Sequence, residues 1–233
     1  MGWLYYGDYY FIILVIPAMI LAAIAQLMVK TTFASKSKVL SSRGITGAQA
    51  ASRVLSYYGI SNVQIERVSG NLTDHYDPRT NIIRLSDGVY NSTSIAAIGV
   101  ACHEAGHAAQ HAEGYLPIKI RNSIIPLCNI GSTIGIPLAV IGYFLSFEPL
   151  VTVGLMLYAL IAVFQFATLP VEFNASRRAM KVIDETELLD ESEQSGARKV
   201  LTAAAMTYVA SLIVALANLL RFVLRFSNRN RRN

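Results

Sequence analysis

The chain is poor in charge and in cysteine. Of its 233 residues only 15% are Asp, Glu, Lys or Arg, against 53% hydrophobic, more apolar surface than a soluble chain of this length can bury. The two cysteines, Cys102 and Cys128, provide no disulfide framework, and both sit in apolar runs where packing accounts for them. No Lys or Arg precedes the first apolar run, whose approach is Trp3, Tyr5, Tyr6, Asp8, Tyr9 and Tyr10. That absence excludes the basic leader of a cleaved secretory signal, and the aromatics read as the interfacial belt of a retained anchor. No internal repeat is visible and no charge interrupts the second or third run, which argues against a transporter.

What is there is concentrated apolarity. Residues 11–29, 124–147, 150–171 and 200–220 are nearly free of polar side chains, and each is close to the ~20 residues that a helix needs to cross a bilayer. Lys30, Lys36, Lys38 and Arg43 follow the first run, and Lys119 and Arg121 precede the second. Arg177, Arg178 and Lys181 follow the third, and Arg198 and Lys199 precede the fourth. All of these flank one side, which the positive-inside tendency assigns to the cytoplasm. Arg221, Arg225, Arg229, Arg231 and Arg232 dissent, so the last helix either crosses with a basic tail outside, bends back or lies along the surface. The net charge of +5 is spent on these flanks, and no nucleic-acid partner is read from it.

Within this apolar chain stands His103-Glu104-Ala105-Gly106-His107. Residues four apart share a helical face, so both imidazoles can reach one ion. A catalytic zinc site keeps one position for a water that the metal acidifies, and Glu104 is the base for that water. The flanking Ile95 to Cys102 and Ala108-Ala109 are apolar, which reads as a buried helix where unpartnered imidazoles would be costly and coordination removes the cost. His111 continues the same face but stands about 12 Å along the axis from His103, too far for the same ion. Glu172, in Leu169-Pro170-Val171-Glu172-Phe173-Asn174-Ala175-Ser176-Arg177-Arg178, is the better third ligand, opening a new helix after Pro170. Two membrane crossings separate it from the histidines, which returns the chain to the same side.

Between the first two runs, Thr46 caps a helix from Gly47 to Tyr58, and residues 62–68 and 81–85 read as two strands of a short hairpin. Ser92 or Ser94 caps the histidine helix. The loop from Asn71 to Thr80 is rich in titratable groups. A substrate could add as a further strand along the hairpin edge, with His75 or Tyr76 stabilising the oxyanion, although a solvated Asp77-Pro78 turn explains the same residues.

Thr73-Asp74-His75-Tyr76-Asp77-Pro78, Leu85-Ser86-Asp87-Gly88-Val89-Tyr90, Cys102 to Ala108 and Pro170 to Arg178 together carry a resemblance that covers nearly the whole chain. The chain resembles the bacterial neutral zinc membrane metallopeptidases of the YugP type and, more distantly, the HtpX membrane proteases. The resemblance implies one zinc ion on His103, His107 and Glu172, with Glu104 catalytic. Where related peptidases carry an aspartate four residues after the glutamate ligand, to orient a histidine, this chain has Ser176, leaving Asn174 or Ser176 as stand-ins. His75, Tyr76, Asn174, Ser176 and Arg177 are thus the supporting or substrate-binding candidates.

The expected protein is mainly α, with about four transmembrane helices and a small α+β gluzincin-like zinc domain. Its segments are an anchor (1–29), a cytosolic zinc-peptidase segment (30–123), a transmembrane hairpin (124–171), a helix with the third ligand (172–199) and a last transmembrane or interfacial helix with a basic tail (200–233). The expected activity is a multi-pass cell-membrane zinc metalloendopeptidase acting on membrane-associated protein or peptide. Its other partners would be the lipid bilayer and either membrane partner proteins or further copies of itself. The alternative is a zinc-binding membrane scaffold without proteolytic activity.

Overall fold

The computed structural model describes residues 8–230; Trp3, Tyr5, Tyr6, Arg231 and Arg232 lie outside them. A π-helical stretch, Phe11–Val15, leads into α1 (Ile16–Lys36). There follow α2 (Gly47–Tyr57), β1 (Gln64–Val68), β2 (His75–Asp77), β3 (Ile82–Ser86), α3 (Asp87–Tyr90) and α4 (Ile95–Ala112). Three long helices complete the chain, α5 (Leu116–Phe144), α6 (Glu148–Glu185) and α7 (Glu191–Asn230). Four helical segments are long and apolar enough to cross a membrane, Phe11–Lys36, Leu116–Phe144, Glu148–Glu185 and Glu191–Phe226. The protein is a mainly helical membrane protein with a small α+β portion.

Two compact units emerge. One comprises Met1–Ala25, Lys119–Leu169 and Thr207–Asn233, the other Gln26–Ile118 and Pro170–Met206. The divisions fall inside α1, α5, α6 and α7, so each long helix contributes residues to both.

In the second unit, α2 packs on α4. Thr46 caps α2 through a reciprocal box with Gln49: its hydroxyl accepts from the Gln49 N–H at 3.2 Å, and the Gln49 side chain accepts from the Thr46 N–H at 2.9 Å. Ser94 caps α4 by accepting from the Ala97 N–H at 3.2 Å. The core joins Val54, Leu55, Ile83, Leu85, Val89, Ile98, Val182, Ile183 and Leu189 to a face of α4 made of Ala97, Ala101, Cys102, Ala105 and Ala108. Small side chains on α4 let its neighbours come close, and this closeness later decides the site.

Two sequence expectations change here and one open alternative is narrowed. The two predicted strands do not form a hairpin: β1 and β3 pair in parallel, Gln64 with Ile82 through Val68 with Ser86. The polar loop between them holds a third strand, β2, which pairs antiparallel with β3 and gives the order β1-β3-β2. The true hairpin is β2 to β3, turned by Asp77, whose carboxylate accepts from the Arg79 N–H at 2.9 Å and the Thr80 hydroxyl at 3.0 Å. Second, Glu172 opens no new helix. α6 runs unbroken through Pro170, which deprives the Phe166 carbonyl of its helical donor, a loss that long packed membrane helices absorb. Third, α7 neither breaks nor bends back before Asn230.

In the first unit, α5 and α6 meet through glycine: a Cβ placed on Gly135 would stand 2.9 Å from the Gly154 carbonyl oxygen. Asp8 pairs with Arg221 at 2.7 Å and with Arg225, bringing the start of the first span to the end of the last. Burial opposes ionisation of Asp8, but the Arg221 bond, the Phe11 N–H and both guanidiniums override it and hold the carboxyl below its usual range. Two of the dissenting C-terminal arginines are thus bound to a carboxylate.

Candidate metal centre

α4 carries His103 and His107 one turn apart. Their rings stand 4.7 Å apart, centroid to centroid, at 82°. α6 brings Glu172 against them, with Oε2 at 3.3 Å from Nε2 of His103 and 3.4 Å from Nε2 of His107. The three ligand atoms all lie within 4.8 Å of one another. Glu172 and Glu104 are buried.

These spacings test whether the residues fit a zinc ion. Ligands about 2.0–2.1 Å from a tetrahedral centre stand about 3.3–3.4 Å apart along an edge. The two carboxylate-to-imidazole distances match that edge. They exceed the ~2.7–2.9 Å of a strong charge-assisted hydrogen bond, so the spacing suits a shared ion better than direct contact. Two imidazole nitrogens and one carboxylate oxygen are also the donors that zinc takes when it retains an open position. The residues fit.

The approach of α6 depends on Gly106. A Cβ there would fall 2.7 Å from the Ala175 carbonyl oxygen and 3.3 Å from its carbon, inside backbone that cannot swing away. Any side chain at Gly106 would push α6 off α4 and carry Glu172 from the imidazoles. Sequence reasoning named Gly106 as part of the motif without this role.

The supporting candidates separate. The Ser176 hydroxyl lies 3.1 Å from His103 Nδ1. His107 Nδ1 instead meets Gln110 Oε1 at 3.0 Å. Gln110 was missed; the available signal was a polar residue three positions past the second histidine in an apolar run, on the same side of the helix. Its amide nitrogen donates to the Val171 carbonyl at 2.8 Å and to Asn174 Oδ1 at 2.9 Å. Arg178 Nε donates to that same Asn174 oxygen at 2.8 Å, whereas Arg177 is exposed. His75 Nδ1 bonds the Thr73 carbonyl oxygen at 2.8 Å, and the Tyr76 hydroxyl donates to Asn81 Oδ1 at 3.0 Å. Tyr76 also stacks edge-on with His111, 6.0 Å between ring centroids. Neither His75 nor Tyr76 belongs to the three-ligand cluster.

Electrostatics follow the packing. Burial disfavours protonation of His107, yet the Glu172 carboxylate, with a further contribution from Glu104, lifts its pKa above the usual histidine value. Burial alone pushes the Cys102 thiol up, keeping it a packing group.

A family profile described as "Putative neutral zinc metallopeptidase" matches residues 11–227. The chain belongs to this zinc metallopeptidase family. Among curated proteins it is 46% identical, over 218 residues, to the "Putative membrane protease YugP" of Bacillus subtilis (strain 168), covering 94% of this chain and 97% of that relative. No solved structure matches the chain. For this zinc metallopeptidase the match runs through all four long helices as well as the ligand cluster, so membrane part and metal centre belong to one family architecture.

Proposed function

We propose that this protein is an integral-membrane zinc endopeptidase that cuts membrane-associated polypeptides, with His103, His107 and Glu172 as its metal ligands and Glu104 as its general base. Zinc in such a site supplies a Lewis acid for the scissile carbonyl and acidifies a water. Glu104 takes the proton from the attacking water and returns it to the leaving amine, two transfers that one buried carboxylate on the ligand helix can serve in turn. The supporting observation is the meeting of two imidazoles from α4 with a carboxylate from α6, at spacings that fit one tetrahedral ion. A zinc scaffold would have no use for a buried Glu104 beside it.

Membrane-associated substrates fit because Glu172 lies on the same unbroken helix as the third span, just past its apolar run. An extended segment can add along the outer edge of β2, which packs on α4. The cytoplasmic side is proposed for the catalytic unit because the basic flanks of the spans gather on its side, and the pairing of Arg221 and Arg225 with Asp8 accounts for two of the five dissenting arginines.

The test uses purified full-length protein in detergent with zinc and a peptide blocked at both ends. Internal cleavage by wild type, absent in Glu104→Gln, supports the proposal; release of single terminal residues from unblocked peptides only, or equal cleavage by the variant, contradicts it. Reagent accessibility of single cysteines placed near Lys38 checks the orientation.

A further inference from the structure

The geometry points to Gln110 as the residue that positions His107 and at the same time locks the Glu172 helix to it; this inference rests on the metal-ligand reading above. Arg178 can only donate. Its Nε at 2.8 Å fixes an oxygen of Asn174 in that place, and so settles the orientation of the Asn174 amide. That oxygen and the Val171 carbonyl are both acceptors, so the group of Gln110 that faces them is its NH2. Gln110 Oε1 is thereby aimed at His107 Nδ1, which must carry a hydrogen, and the lone pair of His107 is left on Nε2, the atom that faces Glu172. Each step leaves one choice.

The chain of bonds is anchored at its far end. Arg178 Nη1 meets Glu113 at 2.7 Å, and its guanidinium lies over the rings of Tyr58 and Tyr115, 5.5 and 5.8 Å from their centroids. Gln110 itself has no exposed surface. Its two donated bonds land on α6, one residue before and two after Glu172, so the same side chain that sets the tautomer on α4 also sets the turn of α6 that presents the carboxylate. His103 has no such device: a hydroxyl such as Ser176 can donate or accept, and leaves the tautomer open.

A carboxylate is the usual partner for a ligand histidine, yet here it would fail. In Gln110→Glu one oxygen would accept from Nδ1, but the other would face two acceptor oxygens with no hydrogen between. Asn174→Asp keeps an acceptor for both Gln110 and Arg178, so the pattern of donors and acceptors survives in it.

The experiment compares full-length wild type, Gln110→Glu, Gln110→Leu, Asn174→Asp and, as a ligand control, His103→Ala. The readouts are zinc affinity by chelator competition and the visible d–d spectrum of the cobalt-substituted protein, with metal-free helicity as the folding check. Expected are a loss of zinc affinity of about 10–100-fold in both Gln110 variants with an altered cobalt spectrum, and in Asn174→Asp a clearly smaller change of affinity than in Gln110→Glu. Gln110→Glu that binds as tightly as wild type overturns the clamp, as does Gln110→Leu with an unchanged cobalt spectrum. If Gln110→Leu does not fold, Gln110→Glu against Asn174→Asp decides by the same criterion. Wild-type affinity in His103→Ala would instead sink the metal-ligand reading, and separates that failure from this one.

Discussion

The two units of this chain handle polar groups in opposite ways. In the unit that holds 26–118 and 170–206, Glu104, Gln110 and Glu172 are buried amid alanine and glycine, and the Gln110 amide is tied through hydrogen bonds to His107 and to α6. In the other unit, long helices leave Ile20, Ile24, Leu127, Ile130, Met156 and Phe166 exposed, the surface a lipid solvent accepts, and charge gathers in the Asp8, Arg221 and Arg225 cluster. Polar burial in this chain thus follows chemistry: the groups are connected around His103, His107 and Glu172, and gathered at helix ends where only packing is needed.

Breaking the first side should have the largest effect. Glu104→Gln is expected to lower turnover by about 10²–10⁴ while zinc affinity stays near wild type, as measured by peptide cleavage alongside metal analysis. Gly106→Ala follows, because the methyl meets the Ala175 backbone: about 1–3 kcal/mol of stability should be lost to overpacking, together with zinc affinity, since α6 carries Glu172 away. Thermal unfolding with and without zinc checks both. If that variant binds zinc normally, close helix approach is not what builds the site.

The second side should yield a different signature. Asp8→Ala leaves two arginines without their shared carboxylate, and about 1–2 kcal/mol of detergent-state stability should go while zinc affinity is unchanged, the cost held down by the partial exposure of all three side chains. The sign of the pH effect follows from the depressed Asp8 pKa. Its contribution is fully present above the ordinary carboxylate pKa of about 4 and is lost as pH falls through the lower folded value, so acid unfolding of Asp8→Ala should be less steep there than that of wild type. Smallest is Thr46→Ala, which removes the cap of α2 and should cost about 1 kcal/mol without touching zinc or cleavage.

Much of this was legible in the chain because hydropathy and helical spacing are local signals. Four apolar runs gave four spans, and His103 with His107 needed only the i, i+4 rule. Glu172 was found by its place after the third run, but its helix was misread, since Pro170 signals a start when only its missing N–H is weighed and not the span around it. Strand pairing was not legible: β1 and β3 each look like hairpin arms, and only the three-residue β2 hidden in a polar loop makes them parallel neighbours. Gln110, Asn174 and Arg178 act together across α4 and α6, a relation set by the close approach that Gly106 permits and invisible to any window along one helix.

At the centre of the proposed chemistry is one cation shared by three side chains from α4 and α6. Zinc content and affinity of purified wild type against Glu172→Leu decide it: about one zinc per wild-type chain is expected, with an affinity loss of orders of magnitude in the variant and helicity retained. A Glu172→Leu protein that holds zinc as tightly as wild type would contradict it.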